Sequence, residues 1–129
     1  MEFIKTNVNP RQIKVNDCVI RAISIATDKT WKDVYYDLVK IGAELYMMPN
    51  DKQVYERYLE ELGFTKHKMP KKDNGKRFTV KEFADLHPND AMIITIANHM
   101  TYVESDRMYD LWDCSRKSIC NYWTKFTCV

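Results

Sequence analysis

"RQIKVNDCVIRAISIAT", residues 11–27, places a cysteine, Cys18, at the position where a helix is expected to begin. The residues after it form an apolar run interrupted only by Arg21 and Ser24, a pattern that predicts a buried helix. The free N–H groups and the positive dipole end of a helix stabilise a thiolate, and so lower the pKa of a cysteine from about 8.5. We therefore interpret Cys18 as a candidate nucleophile, because a cysteine that only packs would be expected further inside the run.

The chain as a whole has the composition of one globular domain, 1–129, with 45% hydrophobic and 12% aromatic residues. After an irregular arm at 1–15, the spacing of apolar residues predicts helices over 18–27, from Thr30 to about 45, over 51–62 and over 80–86. Alternating apolar patterns then predict strands at 91–97, 99–105, 108–113 and 118–123. Helices followed by antiparallel strands indicate an α+β domain.

The charge of the chain is unevenly distributed, although its net value is only +2. Residues 64–81 carry seven lysines and arginines against one aspartate, and we expect a basic surface loop at 65–78. The segment 66–81 could contact the phosphates of a nucleic acid, but it lacks the internal aromatic residues that stack on bases. Nucleic acid is therefore a minor alternative among the expected partners.

The N-terminal residues MEFIKTNVNP contain no apolar segment of the kind found in secretory signals, and no run approaches membrane-spanning length. We therefore expect a cytoplasmic protein with no membrane partner, whose four cysteines are mostly reduced thiols. The cysteines also lack the paired spacing of zinc sites, so we expect no metal and no cofactor.

A nucleophilic cysteine needs a base, and the chain offers three histidines. His67 lies in the lysine-rich segment, where solvation is expected, and His87 ends the short helix at 80–86. His99 instead follows the apolar strand 91–97 and begins the next strand, where the sheet would hold its ring firmly. His99 is the candidate base.

The hairpin sequence "HMTYVESDRMYDLWDC", residues 99–114, offers a carboxylate to orient the imidazole. A three-residue turn at 105–107 would place His99 directly opposite Asp113, with Cβ atoms about 5 Å apart. Asp113 is thus the expected third residue of a Cys-His-Asp triad.

Two other registers remain open for this hairpin. A two-residue turn at 106–107 would bring Cys114 opposite His99, but this turn lacks the Gly or Asn that positive φ angles favour. A further slip would make Asp110 the carboxylate.

An acyl-transfer site also needs donors for an oxyanion. The backbone N–H of Cys18 is one, and the side-chain amides of Gln12 and Asn16 are the candidates for the second. Asp17 or Asn16 is expected to cap the helix by accepting from its free N–H groups.

Gln12 followed six residues later by Cys18 at a helix start resembles the papain-like cysteine peptidases, in which a glutamine at this offset supplies the oxyanion hole. The order Gln12, Cys18, His99, Asp113 also follows that family, with the helical part first and the strands after it. The segments "NDCVIRAISIAT" and "ANHMTYVESDRMYDLWDCSRK" are similar to small bacterial and phage proteins with an NDC helix and an NH…YDxWD end. The resemblance spans about residues 7–125.

This resemblance implies a minimal papain-like fold and a thiol hydrolase that acts on peptide or isopeptide bonds. Deamidation and acyl transfer use the same chemistry and stay open, because the chain lacks the CGSCW signature of papain. The alternative is a catalytically inactive papain-like binding module, encoded by a phage and acting in the host cytoplasm on a host protein or nucleic acid.

Overall fold

The computed structural model describes residues 1–125, which form an α+β domain of four helices and one six-stranded mixed sheet. The helices are α1 (Cys18–Thr27), α2 (Trp31–Leu45), α3 (Lys52–Glu61) and α4 (Val80–Leu86). The strands are β1 (Glu2–Lys5), β2 (Phe64–His67), β3 (Ala91–Ile96), β4 (His99–Glu104), β5 (Arg107–Asp110) and β6 (Asn121–Lys125).

Local signals in the sequence place the helix ends as predicted. The Thr30 hydroxyl accepts from the N–H of Asp33 at the start of α2. Thr79 and Glu82 form a reciprocal capping box at the start of α4. Gly63 has φ +93° just after α3, a left-handed conformation that glycine adopts without strain.

The sheet has the order β1-β5-β4-β3-β6-β2. Strands β5, β4, β3, β6 and β2 pair antiparallel, whereas β1 adds to the edge in parallel with β5. The expectation of a purely antiparallel sheet is therefore wrong, and so is that of an irregular arm over all of 1–15. Strand β1 has only four residues and pairs with the distant strand β5, so its own sequence gives little indication of a strand.

The sheet separates two hydrophobic clusters. Helices α1, α2 and α3 pack on one face around Ile23, Leu38 and Trp123, all fully buried. Helix α4 packs on the opposite face with the inward side chains of β3 and β5. Because α1 crosses β4 on the first face, the start of that helix lies beside the start of the strand.

The basic loop predicted at 65–78 is shorter in the structure, because residues up to His67 belong to β2, which pairs with β6. Two of its lysines form salt bridges, Lys66 with Glu56 and Lys72 with Glu82, both at 2.6 Å. Of the residues that the structure describes, none belongs to a helix long and apolar enough to cross a membrane.

Candidate active site

Cys18 is the first residue of α1 and is half-buried at the edge of an open cleft. Asp17 occupies the N-cap position, but its side chain makes no capping hydrogen bond, contrary to the prediction. Its carboxylate instead accepts from Arg21 Nε at 2.8 Å and from Trp31 Nε1 at 2.9 Å. The Asp17 side chain therefore does not satisfy the first-turn N–H groups of α1.

His99 is brought to Cys18 by a tight turn. Ala97 and Asn98 connect β3 to β4, and Asn98 has φ +56°, which asparagine tolerates. His99 is the first residue of β4 and lines the same cleft as Cys18, close enough for its ring to lower the pKa of the thiol. The sequence prediction that these two residues meet agrees with this geometry.

The carboxylate that holds His99 is Asp110, not Asp113. Asp110 Oδ2 lies 2.7 Å from His99 Nε2, and both side chains are almost completely removed from solvent. Because Nε2 is engaged in this way, Nδ1 is the ring nitrogen left for Cys18. His99 thus has the Asp110 carboxylate on one ring nitrogen and shares the cleft with Cys18.

The hairpin turn explains why Asp113 was predicted wrongly. Ser105 and Asp106 both adopt positive φ, +50° and +61°, and form a two-residue turn closed by the pair Glu104 and Arg107. When this register is extended along the strands, Asp110 lies opposite Thr101, two residues from His99 on β4. Asp110 and His99 are therefore diagonal neighbours on the same face of the sheet. A two-residue turn is considered from the sequence only at 106–107, where the absence of Gly and Asn disfavours it. The turn lies one residue earlier, at 105–106, and aspartate also tolerates positive φ.

Asp113 itself is exposed and forms a local turn. Its Oδ1 accepts from the backbone N–H of Ser115 at 2.9 Å, and this hydrogen bonding to Ser115 lowers the Asp113 pKa. It makes no contact with His99 among the recorded hydrogen bonds of residues 1–125.

Arg21 joins the start of α1 to the sheet through two buried aspartates. Its Nε donates to Asp17 Oδ1 at 2.8 Å, and its Nη1 donates to Asp110 Oδ1 at 3.0 Å. Arg21 is only 6% exposed and the two aspartates are 3% and 2% exposed. Trp31 and Asn9 donate to the remaining oxygen of Asp17, so the guanidinium and both carboxylates are held by hydrogen bonds.

These contacts shift the pKa values of the reacting groups. Burial opposes ionisation of Cys18, but hydrogen bonds from His99 and from the backbone of Met100, with the positive charges of His99 and Arg21, lower its pKa from 9.0. Burial also opposes protonation of His99, yet its hydrogen bond to Asp110 and those to the two thiols raise its pKa to about 11. The site therefore favours a thiolate beside an imidazolium.

Cys114 completes the environment of the triad carboxylate. Its buried thiol donates to Asp110 Oδ2 at 3.8 Å, and ligand atoms of His99, Asp110 and Cys114 lie within 4.8 Å of one another. A cation bound there would have to break the 2.7 Å contact and would face the Arg21 guanidinium, which already occupies the other oxygen. We therefore assign this cluster to the positioning of His99.

The cleft in front of Cys18 has a volume of ≈ 400 Å³. Its polar wall contains three carboxamides, one ammonium and one phenol: Asn16, Asn50, Asn98, Lys52 and Tyr55. Burial and nearby negative charges raise the pKa of Tyr55 to about 12, so its hydroxyl stays protonated and can donate. This wall therefore offers hydrogen-bond donors from all five side chains.

The two predicted oxyanion residues have different places. Asn16 lines the cleft beside Cys18. Gln12 does not line it, because its Nε2 donates to the carbonyls of Asn7 and Asn9, both at 2.8 Å. The side chain of Gln12 is thus used to close the loop before α1, in a turn where Gln12 itself has φ +55°.

Asn50 reaches the cleft because the loop after α2 folds back onto that helix. A Cβ on Gly42 would lie 2.6 Å from the carbonyl oxygen of Met47, so only glycine allows this approach. The backbone N–H of Met47 also donates to the Gly42 carbonyl at 2.9 Å. Sequence reasoning missed Asn50, since this loop has no periodic pattern.

Trp112 packs against the triad from the outside. Its ring centroid lies 4.9 Å from that of His99, and 42% of the side chain stays exposed. An apolar ring beside His99 lowers the local dielectric, which strengthens the hydrogen bond between His99 and Asp110. Trp123, by contrast, is fully buried in the core.

Searches for a matching family model, a similar curated protein and a similar solved structure each returned no match for the chain. The chemistry of the site is therefore inferred from its own residues.

Proposed function

We propose that this domain is a papain-like thiol hydrolase that cleaves peptide or isopeptide bonds by acyl transfer to Cys18. The observation that supports this most strongly is that Cys18 and His99 line one cleft, where the buried carboxylate of Asp110 holds His99 at 2.7 Å. A nucleophile, a base and an orienting acid in hydrogen-bond contact are the parts that covalent acyl transfer requires.

In the first half of the reaction, the Cys18 thiolate attacks the acyl carbon, and a C–S bond forms as the carbonyl electrons move to oxygen. The N–H of Cys18 and the side-chain amide of Asn16 are the donors available to this oxyanion. The His99 imidazolium gives its proton to the leaving nitrogen as the C–N bond breaks, which leaves a thioester on Cys18.

In the second half, neutral His99 takes a proton from water, and the resulting hydroxide attacks the thioester carbon. The C–S bond breaks, the acid product leaves, and the thiolate–imidazolium pair is restored. Asp110 keeps Nδ1 of His99 directed at the sulfur throughout, while Arg21 holds Asp110 from its other oxygen.

The alternative function, an inactive binding module that acts through its basic segment, receives less support. Two lysines of that segment are already paired with Glu56 and Glu82, which lowers the positive charge available to a phosphate backbone. Substitution of Cys18 distinguishes the two functions, because a binding module would keep its partner after Cys18→Ala.

Turnover of an activated ester tests the proposed function without knowledge of the natural substrate. With p-nitrophenyl acetate, we expect release of several equivalents of nitrophenolate per protein molecule and an acetyl group on Cys18 detectable by intact mass. Cys18→Ala should abolish both signals, and His99→Ala should slow acetylation and leave any acetyl group in place.

Asp113→Asn is the matched control, because Asp113 lies three residues from Asp110 and touches only a local turn. It should retain multiple turnover. A single equivalent of nitrophenolate in the wild-type protein, or turnover that survives Cys18→Ala, would contradict the proposed function.

A further inference from the structure

The cleft in front of Cys18 has an excess of positive charge. Lys52, the first residue of α3, lines this cleft, and no aspartate or glutamate lines it among the residues that the structure describes. Within the lining, the thiolate of Cys18 and the imidazolium of His99 offset each other, so Lys52 supplies the remaining charge; the nearby carboxylates Asp51 and Glu56 lie outside the lining.

Lys52 is exposed and, like most lysines in residues 1–125, forms no salt bridge with an aspartate or glutamate. The salt bridges within residues 1–125 engage Lys29, Lys66, Lys72 and Lys81 with aspartates or glutamates, and Lys52 takes part in none of them. The carboxylate next to it in sequence, Asp51, accepts from the N–H of Gln53 as the cap of α3 and lies outside the cleft lining.

The neutral groups of the cleft reinforce this preference. Asn16, Asn50 and Asn98 each present two amide N–H donors, and the protonated phenol of Tyr55 presents one more. A carboxylate accepts hydrogen bonds from all of these groups and donates none. A cleft with many donors, one free ammonium and no carboxylate is complementary to an anion.

We propose that the substrate is an acyl compound with a carboxylate close to the bond that Cys18 attacks, and that Lys52 binds this carboxylate. This inference rests on the proposed function in one respect, since it takes Cys18 as the reacting group. It adds a substrate class and a specificity-determining residue that the triad alone does not define.

Two alkylating reagents that differ in charge test the role of Lys52. Iodoacetate is an anion and iodoacetamide is neutral, and both alkylate the same thiolate with loss of iodide. The ratio of their second-order rate constants at Cys18, measured by peptide mass spectrometry at low ionic strength, reports attraction of the anion and uses the neutral reagent as reference.

We expect this ratio to fall about two- to fivefold in Lys52→Gln, and further in Lys52→Glu, because a unit charge a few ångströms away attracts the anion even in a water-like environment. Addition of 0.5 M sodium chloride, roughly enough to reduce the Debye length well below 10 Å, should bring the wild-type ratio towards that of Lys52→Gln. Lys40→Gln, in a groove between α2 and α3, is the matched control and should keep the wild-type ratio.

An unchanged ratio in both Lys52 variants would overturn the inference. Failure of the proposed function gives a different result, in which both reagents react slowly with Cys18 at pH 6 in every variant. The ratio is then measured at pH 9, where an ordinary thiol ionises, and still decides whether Lys52 attracts the anion.

Two competitor peptides distinguish the sources of the carboxylate, with protection of Cys18 against iodoacetamide as the readout. One has a central glutamate and blocked termini, and the other has neutral side chains and a free C-terminus. Protection by the first peptide would show that the substrate carboxylate is an acidic side chain. Protection by the second would show that it is a chain terminus. Protection by neither would overturn the substrate class.

Discussion

Arg21 Nη1 lies 3.0 Å from Asp110 Oδ1, on the carboxylate whose other oxygen holds His99 at 2.7 Å. This contact connects the helix that begins with Cys18 to the strand that ends with Asp110. The same guanidinium holds Asp17 at the start of α1. Arg21 thus contributes both to the stability of the fold and to the position of His99, and the two contributions can be measured separately.

Arg21→Met removes the charge and keeps most of the side-chain volume. Two buried carboxylates then lose their common partner, and loss of one member of a buried ion pair costs about 3–5 kcal/mol. We expect the free energy of unfolding in urea to fall by about this amount at pH 7. Arg21→Lys keeps the positive charge but cannot make both contacts. Its free energy of unfolding should therefore fall by a smaller amount.

Arg57→Met is the control for this measurement. Arg57 also contacts two carboxylates, Glu44 at 2.7 Å and Glu61 at 3.1 Å, but all three side chains are exposed. Exposed ion pairs of this kind contribute little to the free energy of unfolding. A loss of stability in Arg57→Met equal to that in Arg21→Met would contradict the importance of burial.

Asp110→Asn keeps the shape of the side chain and removes the charge that stabilises the imidazolium. The Cys18 pKa should then rise, because a His99 that loses its proton no longer stabilises the thiolate. Alkylation of Cys18 by iodoacetamide at pH 6 should therefore slow, by up to about tenfold for a rise of one pKa unit. Peptide mass spectrometry follows Cys18 without substitution of the buried Cys114.

In Asp113→Asn, Cys18 should be alkylated at a rate within about twofold of the wild-type rate under the same conditions, because Asp113 only caps a turn at Ser115. The reverse order of effects, with Asp113→Asn slow and Asp110→Asn normal, would restore the register predicted from the sequence.

The pH dependence of stability isolates the contact between His99 and Asp110 when Cys18→Ala removes the thiol that titrates with it. The His99 pKa is raised from 6.5 to about 11, so its stabilising contribution is complete below pH 6.5 and decreases as the pH rises towards 11. The Cys18→Ala variant should therefore exceed the double variant Cys18→Ala/His99→Gln in free energy of unfolding by more at pH 6 than at pH 9.5. Urea unfolding at both pH values measures it, and an equal difference would mean that His99 is not charged in the fold.

Asn16→Ala should lower the turnover of p-nitrophenyl acetate, because it removes a candidate oxyanion donor from the cleft. Loss of one such donor typically lowers kcat about 100-fold. Gln12→Ala should leave kcat within about threefold, since the Gln12 amide is bonded to the carbonyls of Asn7 and Asn9. A large loss in Gln12→Ala alone would indicate that the glutamine turns into the cleft during the reaction.

Several elements were predictable because their signals are local. The N-caps Thr30 and Thr79, the glycine after α3 and the apolar run after Cys18 each involve a few neighbouring residues, and the helices they delimit are confirmed. The meeting of Cys18 and His99 agreed with the prediction because both lie at the start of an element, where the sheet and α1 cross.

The parts that were not predictable depend on distant contacts. Strand β1 exists because β5 offers a free edge, and Asp110 replaces Asp113 because Ser105 and Asp106 accept positive φ. Arg21 was visible as a charge inside an apolar helix, a placement that a burial argument could have used, since a buried cation requires an anion. No local pattern marks Asn50 or Lys52.

The pH dependence of Cys18 alkylation by iodoacetamide, compared between the wild type and His99→Ala, tests the central claim most directly. A paired thiolate predicts rapid reaction at pH 6 in the wild type and slow reaction at that pH in His99→Ala. Reaction that becomes rapid only above pH 8, at the same rate in both proteins, would show that Cys18 is a structural thiol and would contradict the proposed site.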